Sequence, residues 1–290
     1  MGKVYCNGEF VSGDQAMVPV TDHGFLYGDG VFEGIRSYKG RVFKLREHLK
    51  RLYQSAKSIH LDIGVSFEEM HEIVLETYRK NNMPDGYCRL VVSRGKGDLG
   101  LSPSNCLESS IFCIVDAISL FPENMYQQGL EVKTVSTRKN SVDSLNPRIK
   151  SLNYLNNILA KIEANQAGAM EAIMLNREGY ITEGTADNIF IYSGRILKTP
   201  PLFAGVLEGI TRNAILEIAV KLGMKVKEEL FTLHDLYVAD ECFLTGTAAE
   251  LISVVKADGR RIGNGVPGEV AKELLAHFRA LTESDGSVIF

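Results

Sequence analysis

A chain of 290 residues with 45% hydrophobic and 23% charged positions can bury a sizeable core and lacks the composition of a disordered protein. Its net charge of -4 supplies no field that would draw in nucleic acid or an anionic membrane surface. No run of roughly 18 apolar residues occurs, and Met1 to Asn7 lacks the apolar stretch of a signal peptide, so no targeting signal is read and a reducing cytoplasm fits; small neutral or anionic metabolites are left open, since their capture depends on local charge. The five cysteines, Cys6, Cys88, Cys106, Cys113 and Cys242, form no CxxC pair. Neither a zinc site nor a disulfide framework is therefore expected.

In chain order, Lys3 to Cys6 and Glu9 to Val11 read as a hairpin about an Asn7-Gly8 turn. The glycine-dense stretch Asp22 to Gly30 follows, then strand character from Val31 to Tyr38, with Lys39-Gly40 turning into Arg41-Val42-Phe43. Turn geometry accounts for most of these glycines. A helix is expected from about Leu45 to Ile59, with Leu49, Leu52, Tyr53 and Ala56 buried and Arg51 off that stripe. Ser66-Phe67-Glu68-Glu69 is a capping box opening a second helix that runs to about Asn82.

Period-two alternation in Tyr87 to Arg94 puts Tyr87, Arg89, Val91 and Ser93 on one strand face. An edge strand with one wet face explains this as well as a ligand site does. Gly95 to Pro103 is too irregular for strand or helix and is followed by a buried strand, Ser110 to Val115. Ser119 to about Gln128, with Pro122, reads as a linker. The expected division is 1-118, a linker at 119-129, and 130-290.

The second domain begins with a strand at Leu130 to Val135. Near the middle of the chain, Asn146 to Leu155 joins a strand to a helix whose apolar residues Leu155, Ile158, Leu159 and Ile162 recur at one-face spacing until Gly168. Lys150 precedes this helix at an element end. A desolvated lysine with cationic neighbours, here Arg148, can lose its proton near neutral pH and attack a carbonyl; the alternative is a solvated surface lysine.

Ala172 to Leu175 and Tyr180 to Glu183 pair around Asn176 to Gly179, and Asn188 to Tyr192 and Arg195 to Lys198 pair around Ser193-Gly194. Gly209-Ile210-Thr211 opens a helix with the face Ile215, Ile218, Ala219 and Leu222. Its unpaired first amides suit an anion, although Thr211 also reads as a plain N-cap. Ala239 to Thr245 is a strand ending in Gly246-Thr247-Ala248, and Pro267 to about Leu281 is the last helix.

In this order, around Ile149-Lys150-Ser151-Leu152-Asn153, the sequence resembles the fold type IV pyridoxal-phosphate aminotransferases, closest to the branched-chain amino acid aminotransferases. The resemblance covers essentially the whole chain. It implies a two-domain α+β / α/β fold, with a small N-terminal α/β domain and a larger C-terminal domain built on a mixed, barrel-like sheet flanked by helices. It implies Lys150 as the amine that makes a Schiff base with pyridoxal 5'-phosphate, Arg51 as the phosphate arginine and Tyr154 as partner of the cofactor's phenolic oxygen. Glu183 would face the pyridine nitrogen, and Ile210, Thr211 and Thr247 would hold phosphate.

For substrate, Tyr27, Phe32 and Gly34 match pocket positions, Tyr87 and Arg89 match a pair handling carboxylates, and the amides of Thr247 and Ala248 match the α-carboxylate site. Leu101 matches a loop residue contributed across a dimer interface. The activity implied is transamination between leucine, isoleucine or valine and 2-oxoglutarate, in a homodimer or a dimer-based larger assembly, without a metal. A D-amino acid aminotransferase or an aminodeoxychorismate lyase would share the scaffold. The former carries an Arg-x-His pair in its interface loop, which Gly95 to Pro103 lacks. A chorismate-derived substrate would not need the Tyr87 and Arg89 pair.

Overall fold

The computed structural model describes residues 2–118 and 121–290. Its contacts divide the chain into two compact units, Met1–Ile118 with Ile149–Asn153 and Thr282–Phe290, and Ser119–Arg148 with Tyr154–Leu281. The lysine segment thus groups with the first unit although it follows the start of the second in sequence.

The first unit contains β1 (Lys3–Cys6), β2 (Glu9–Ser12), α1 (His23–Tyr27), β3 (Gly30–Tyr38), β4 (Arg41–Val42), α2 (Leu45–Ser58), α3 (Phe67–Lys80), β5 (Gly86–Ser93) and β6 (Ser110–Asp116). The second contains α4 (Glu123–Gln128), β7 (Leu130–Thr134), α5 (Leu155–Gln166), β8 (Glu171–Ile173), β9 (Asn188–Ser193), β10 (Ile196–Thr199), α6 (Ile210–Lys221), β11 (Lys225–Glu228), α7 (Leu233–Tyr237), β12 (Glu241–Gly246), β13 (Glu250–Ala257), β14 (Arg260–Arg261) and most of α8 (Glu269–Ser284). The chain ends in β15 (Ser287–Val288), which returns to the first sheet beside β4.

The first sheet has the order β15-β4-β3-β5-β6-β1-β2, every neighbour antiparallel. One face buries alternate residues, Val31 and Ile35 on β3 and Cys88, Leu90 and Val92 on β5, against Leu49 and Leu52 of α2 and Met70 and Val74 of α3. Each such side chain removed from water contributes roughly 1.5–3 kcal/mol. The capping box of α3 is present, with Ser66 Oγ accepting from the Glu69 amide and Glu69 accepting from the Ser66 amide. The second sheet, β11-β10-β9-β12-β13-β7-β8 with β14 beside β13, mixes parallel pairs (β10 with β11, β13 with β7, β7 with β8) with antiparallel ones. The expected α+β / α/β class with its mixed second sheet is what the chain forms.

Several local expectations are corrected. The glycine-dense stretch contains α1, whose N-cap Asp22 accepts from the Gly24 amide. β5 lies between β3 and β6, so it is no edge strand. Part of the expected linker is the helix α4, while Ser119 and Leu120 lie outside the described residues. Thr211 sits inside α6; its N-cap is Gly209.

The helix at Leu155 forms, but its apolar stripe faces outward in this chain: Leu155, Ile158, Leu159 and Ile162 are 67%, 51%, 47% and 45% exposed. The buried side is Asn157, Ala160 and Ala164, small residues that let α5 approach Val135, Ala172 and Met174 closely. Glu163 fastens the same helix by accepting from the amides and hydroxyls of Ser136 and Thr137. Ala160→Leu should therefore cost about 1–3 kcal/mol through overpacking. Urea unfolding midpoints check this, and an unchanged midpoint would contradict the packing described.

Candidate functional site

In the first unit, Lys150 is held by backbone. Its carbonyl accepts from the Phe32 amide at 3.0 Å, the Leu152 amide donates to the Gly30 carbonyl at 2.9 Å, and Ser151 bridges Val31. The lysine segment is thus tied to β3 by a single antiparallel bridge. From the other side, the Lys150 amide donates to Ser55 Oγ on α2 at 3.2 Å. With its backbone fixed, the Lys150 amine lies 4.6 Å from the centroid of the Phe32 ring.

The same ring receives a second cation. β3 and β5 pair Phe32 with Val91 and Gly34 with Arg89, which brings the Arg89 guanidinium within 4.7 Å of the Phe32 ring and 5.8 Å of the Tyr87 ring. Burial pushes the Tyr87 phenol up, against the pull of Arg89, so it stays protonated at neutral pH. Gly34 is required by this packing, since a Cβ there would meet the Tyr87 hydroxyl at 1.9 Å. Tyr27 donates to the Leu99 carbonyl at 2.6 Å and His23 Nε2 bonds the Asp98 carbonyl at 2.9 Å, which fastens the loop after β5 to α1. Leu101 on that loop is 77% exposed.

Arg51 departs from the picture of a residue merely off the apolar stripe: it is buried, as are His48 and Ser55 on the same helix. Its Nε and Nη2 donate to the two carboxylate oxygens of Glu33, each at 2.7 Å. His48 Nδ1 bonds Glu33 Oε2 at 2.8 Å. Burial opposes the Glu33 charge, but Arg51 and His48 outweigh it and hold the carboxyl at about 2, while burial keeps His48 below its ordinary value and neutral.

In the second unit, Glu183 is the centre. Lys139, also buried, donates to Oε1 at 2.6 Å, while the Asn188 side chain and the Leu207 amide donate to Oε2 at 2.9 and 3.0 Å. Asn188 also donates to the Leu207 carbonyl, and its oxygen packs where a Cβ on Gly209 would lie, 2.0 Å away, so α6 must start at a glycine. Gly209 offers no side-chain cap to the first turn, which carries half-buried Ile210 and buried Thr211. Thr247 and Ala248 are half-buried in the turn after β12. Tyr154 is the half-buried N-cap of α5. Arg148, expected as a cationic neighbour of the lysine, is exposed and paired with Glu208 at 3.1 Å.

A family profile described as "Amino-transferase class IV" matches residues 30–257. A Methanocaldococcus jannaschii protein, provisionally named a branched-chain-amino-acid aminotransferase, is 52% identical over 288 residues, 99% of both chains. The branched-chain-amino-acid aminotransferase of Escherichia coli K12 is 35% identical over 289 residues, 96% of this chain and 92% of its own. The crystal structure of the Escherichia coli enzyme matches with a TM-score of 0.95 at 34% identity, covering 97% of this chain and 94% of that one. A second branched-chain amino acid aminotransferase, from the source abbreviated T.th. and crystallised with pyridoxamine 5'-phosphate, gives 0.93 at 35%, with the same coverage. The chain belongs to the class IV aminotransferases, among the branched-chain enzymes.

Class IV aminotransferases of this kind depend on pyridoxal phosphate, and the donor set fits that group. A carboxylate has about four lone-pair sites. Three on Glu183 accept from described donors, which leaves one on Oε1 for a ring N–H. The uncapped start of α6 suits a phosphate. Sequence reasoning about this aminotransferase missed Glu33, His48, Ser55, Lys139 and Asn188. A usable signal existed for the first: Glu33 breaks the apolar alternation of Val31 and Ile35.

Two outcomes follow for this aminotransferase. Gly34→Ala should force the Tyr87 ring aside at a cost of about 1–3 kcal/mol, seen in the variant's crystal structure and melting curve; an unmoved ring would refute the packing. Glu33 in the folded chain stays ionised below its ordinary 4.5, down to about 2, so the unfolded chain binds that proton first. The unfolding free energy in urea should accordingly fall as pH drops through that window, and a flat profile there would contradict the assignment.

Proposed function

We propose that this chain catalyses pyridoxal-phosphate-dependent transamination between L-leucine, L-isoleucine or L-valine and 2-oxoglutarate, yielding the branched-chain 2-oxo acids and L-glutamate. The observation that carries this reading is the Phe32 ring shared by the Lys150 amine and the Arg89 guanidinium, with Tyr87 beside it. An apolar wall with one cation suits both a branched side chain and the second carboxylate of glutamate.

Bound pyridoxal phosphate supplies a carbonyl for an amino group and a ring that draws electron density from the substrate's Cα. The Lys150 amine would hold the cofactor, then take the Cα proton and deliver it to the cofactor's C4′, acting as base and then acid. Arg51, the amides of Ile210 and Thr211, and the Thr247 hydroxyl would bind phosphate, a guanidinium suiting a dianion through its planar fork. Glu183 would keep the pyridine nitrogen protonated, and Tyr154 would donate to the phenolic oxygen.

The Thr247 and Ala248 amides would orient the α-carboxylate. Tyr27, Phe32, Gly34 and Tyr87 would exclude water from the side-chain slot, and Arg89 would take the γ-carboxylate. Leu101 would reach a neighbouring subunit's pocket in a homodimer or dimer-based assembly; the exposure of Leu99, Leu101 and Leu107 at 76%, 77% and 92% supports such an interface. Among the described residues no helix is long and apolar enough to cross a membrane, and the five cysteines are unpaired, which supports a cytoplasmic enzyme.

A half-reaction panel tests the reading. L-leucine and L-glutamate should each bleach the visible absorbance of the bound cofactor, whereas D-alanine and a primary amine should leave it; bleaching by D-alanine alone would reject it. Lys150→Ala should lower turnover at least ~10³-fold. Arg89→Ala should raise the KM for 2-oxoglutarate about 10- to 100-fold, as loss of a charged hydrogen bond does, with little change for leucine. An unchanged 2-oxoglutarate KM would remove Arg89 from the site.

A further inference from the structure

The Glu33 carboxylate occupies a position that alternation assigns to the core. Its neighbours on the same β3 face, Val31 and Ile35, are fully buried, and so is Glu33. An ion pair buried there is no gain in folding stability over an apolar side chain of similar volume. The cluster is nonetheless fully satisfied, with three donors on two oxygens: Arg51 Nε, Arg51 Nη2 and His48 Nδ1, all between 2.7 and 2.8 Å.

Two donors from one guanidinium fix the plane and the rotation of Arg51, which a single bond would not do. His48, one turn earlier on α2, holds the carboxylate from the side. Ser55, one turn later on the same helix, holds the Lys150 amide. A single buried helix face therefore braces both the arginine and the lysine against β3.

We infer that Glu33, aided by His48, is the positioning residue of the cofactor site, presetting the Arg51 guanidinium for the phosphate of pyridoxal phosphate before the cofactor binds. The inference rests on the reading of Arg51 as the phosphate residue. Glu33 touches neither cofactor nor substrate and acts through Arg51 alone. Its removal costs affinity for the phosphate rather than for the ring, because the guanidinium must then be ordered at the expense of binding.

The test is the ratio of two dissociation constants, for pyridoxal phosphate and for pyridoxal, measured by absorbance titration of the cofactor-free full chain. A role confined to folding would weaken both ligands alike and leave the ratio unmoved. Glu33→Gln should weaken pyridoxal phosphate about 10- to 100-fold, the range for a hydrogen bond to a charged group, and leave pyridoxal unchanged. Arg51→Ala should do the same, and Glu33→Gln added to Arg51→Ala should change nothing further.

Should Glu33→Gln fail to fold, His48→Leu, which removes one of the three bonds and keeps the bulk, should raise the ratio as well. A ratio unmoved by Glu33→Gln, or by His48→Leu in its place, while Arg51→Ala raises it would overturn the inference alone. A ratio unmoved by Arg51→Ala would overturn the phosphate reading, and the inference with it.

Discussion

The lysine segment depends on a few backbone hydrogen bonds that tie it to β3. Residues 149–153 reach the first sheet after the chain has already built two elements of the second, and they pair with β3 through the Phe32 amide and the Gly30 carbonyl. Backbone pairing fixes a side chain's origin far better than side-chain contacts do, because it removes the soft dihedrals on both sides. The four-carbon stem of Lys150 then swings from a fixed base, and its amine stays over the Phe32 ring.

The two faces of β3 divide the labour. On one, Phe32 and Gly34 stand opposite Val91 and Arg89 and present an aromatic wall with a cation. On the other, Val31 and Ile35 join the core and enclose Glu33 with its arginine and histidine. Period two is what separates them, since a one-residue slip of register would exchange the faces. The second unit shows the same economy around Glu183, where Asn188 links the carboxylate to the glycine that starts α6.

Much of this was legible in the order of residues. The capping box at Ser66, the hairpin at Asn7-Gly8 and the alternation of Tyr87 to Ser93 obey local rules, and local rules can be read from one chain. The short helix α1 was hidden because its five residues are too few for a period to emerge. β15 has two residues, too few to carry any pattern. At α5 the spacing of leucines and isoleucines marks the helix but does not tell which side is buried: here the alanines face inward and allow the close approach to β8. The buried partners of Arg51 and Glu183 are distant in sequence, and only the fold brings Glu33 or Lys139 to them.

The missing side chain at position 34 has a consequence for redesign. Because the Tyr87 hydroxyl and ring already fill the volume a methyl group would take, the glycine cannot be enlarged by degrees unless that ring moves. Remodelling this wall has to begin on β5, where shortening Tyr87 would release both its own volume and the constraint on its neighbour.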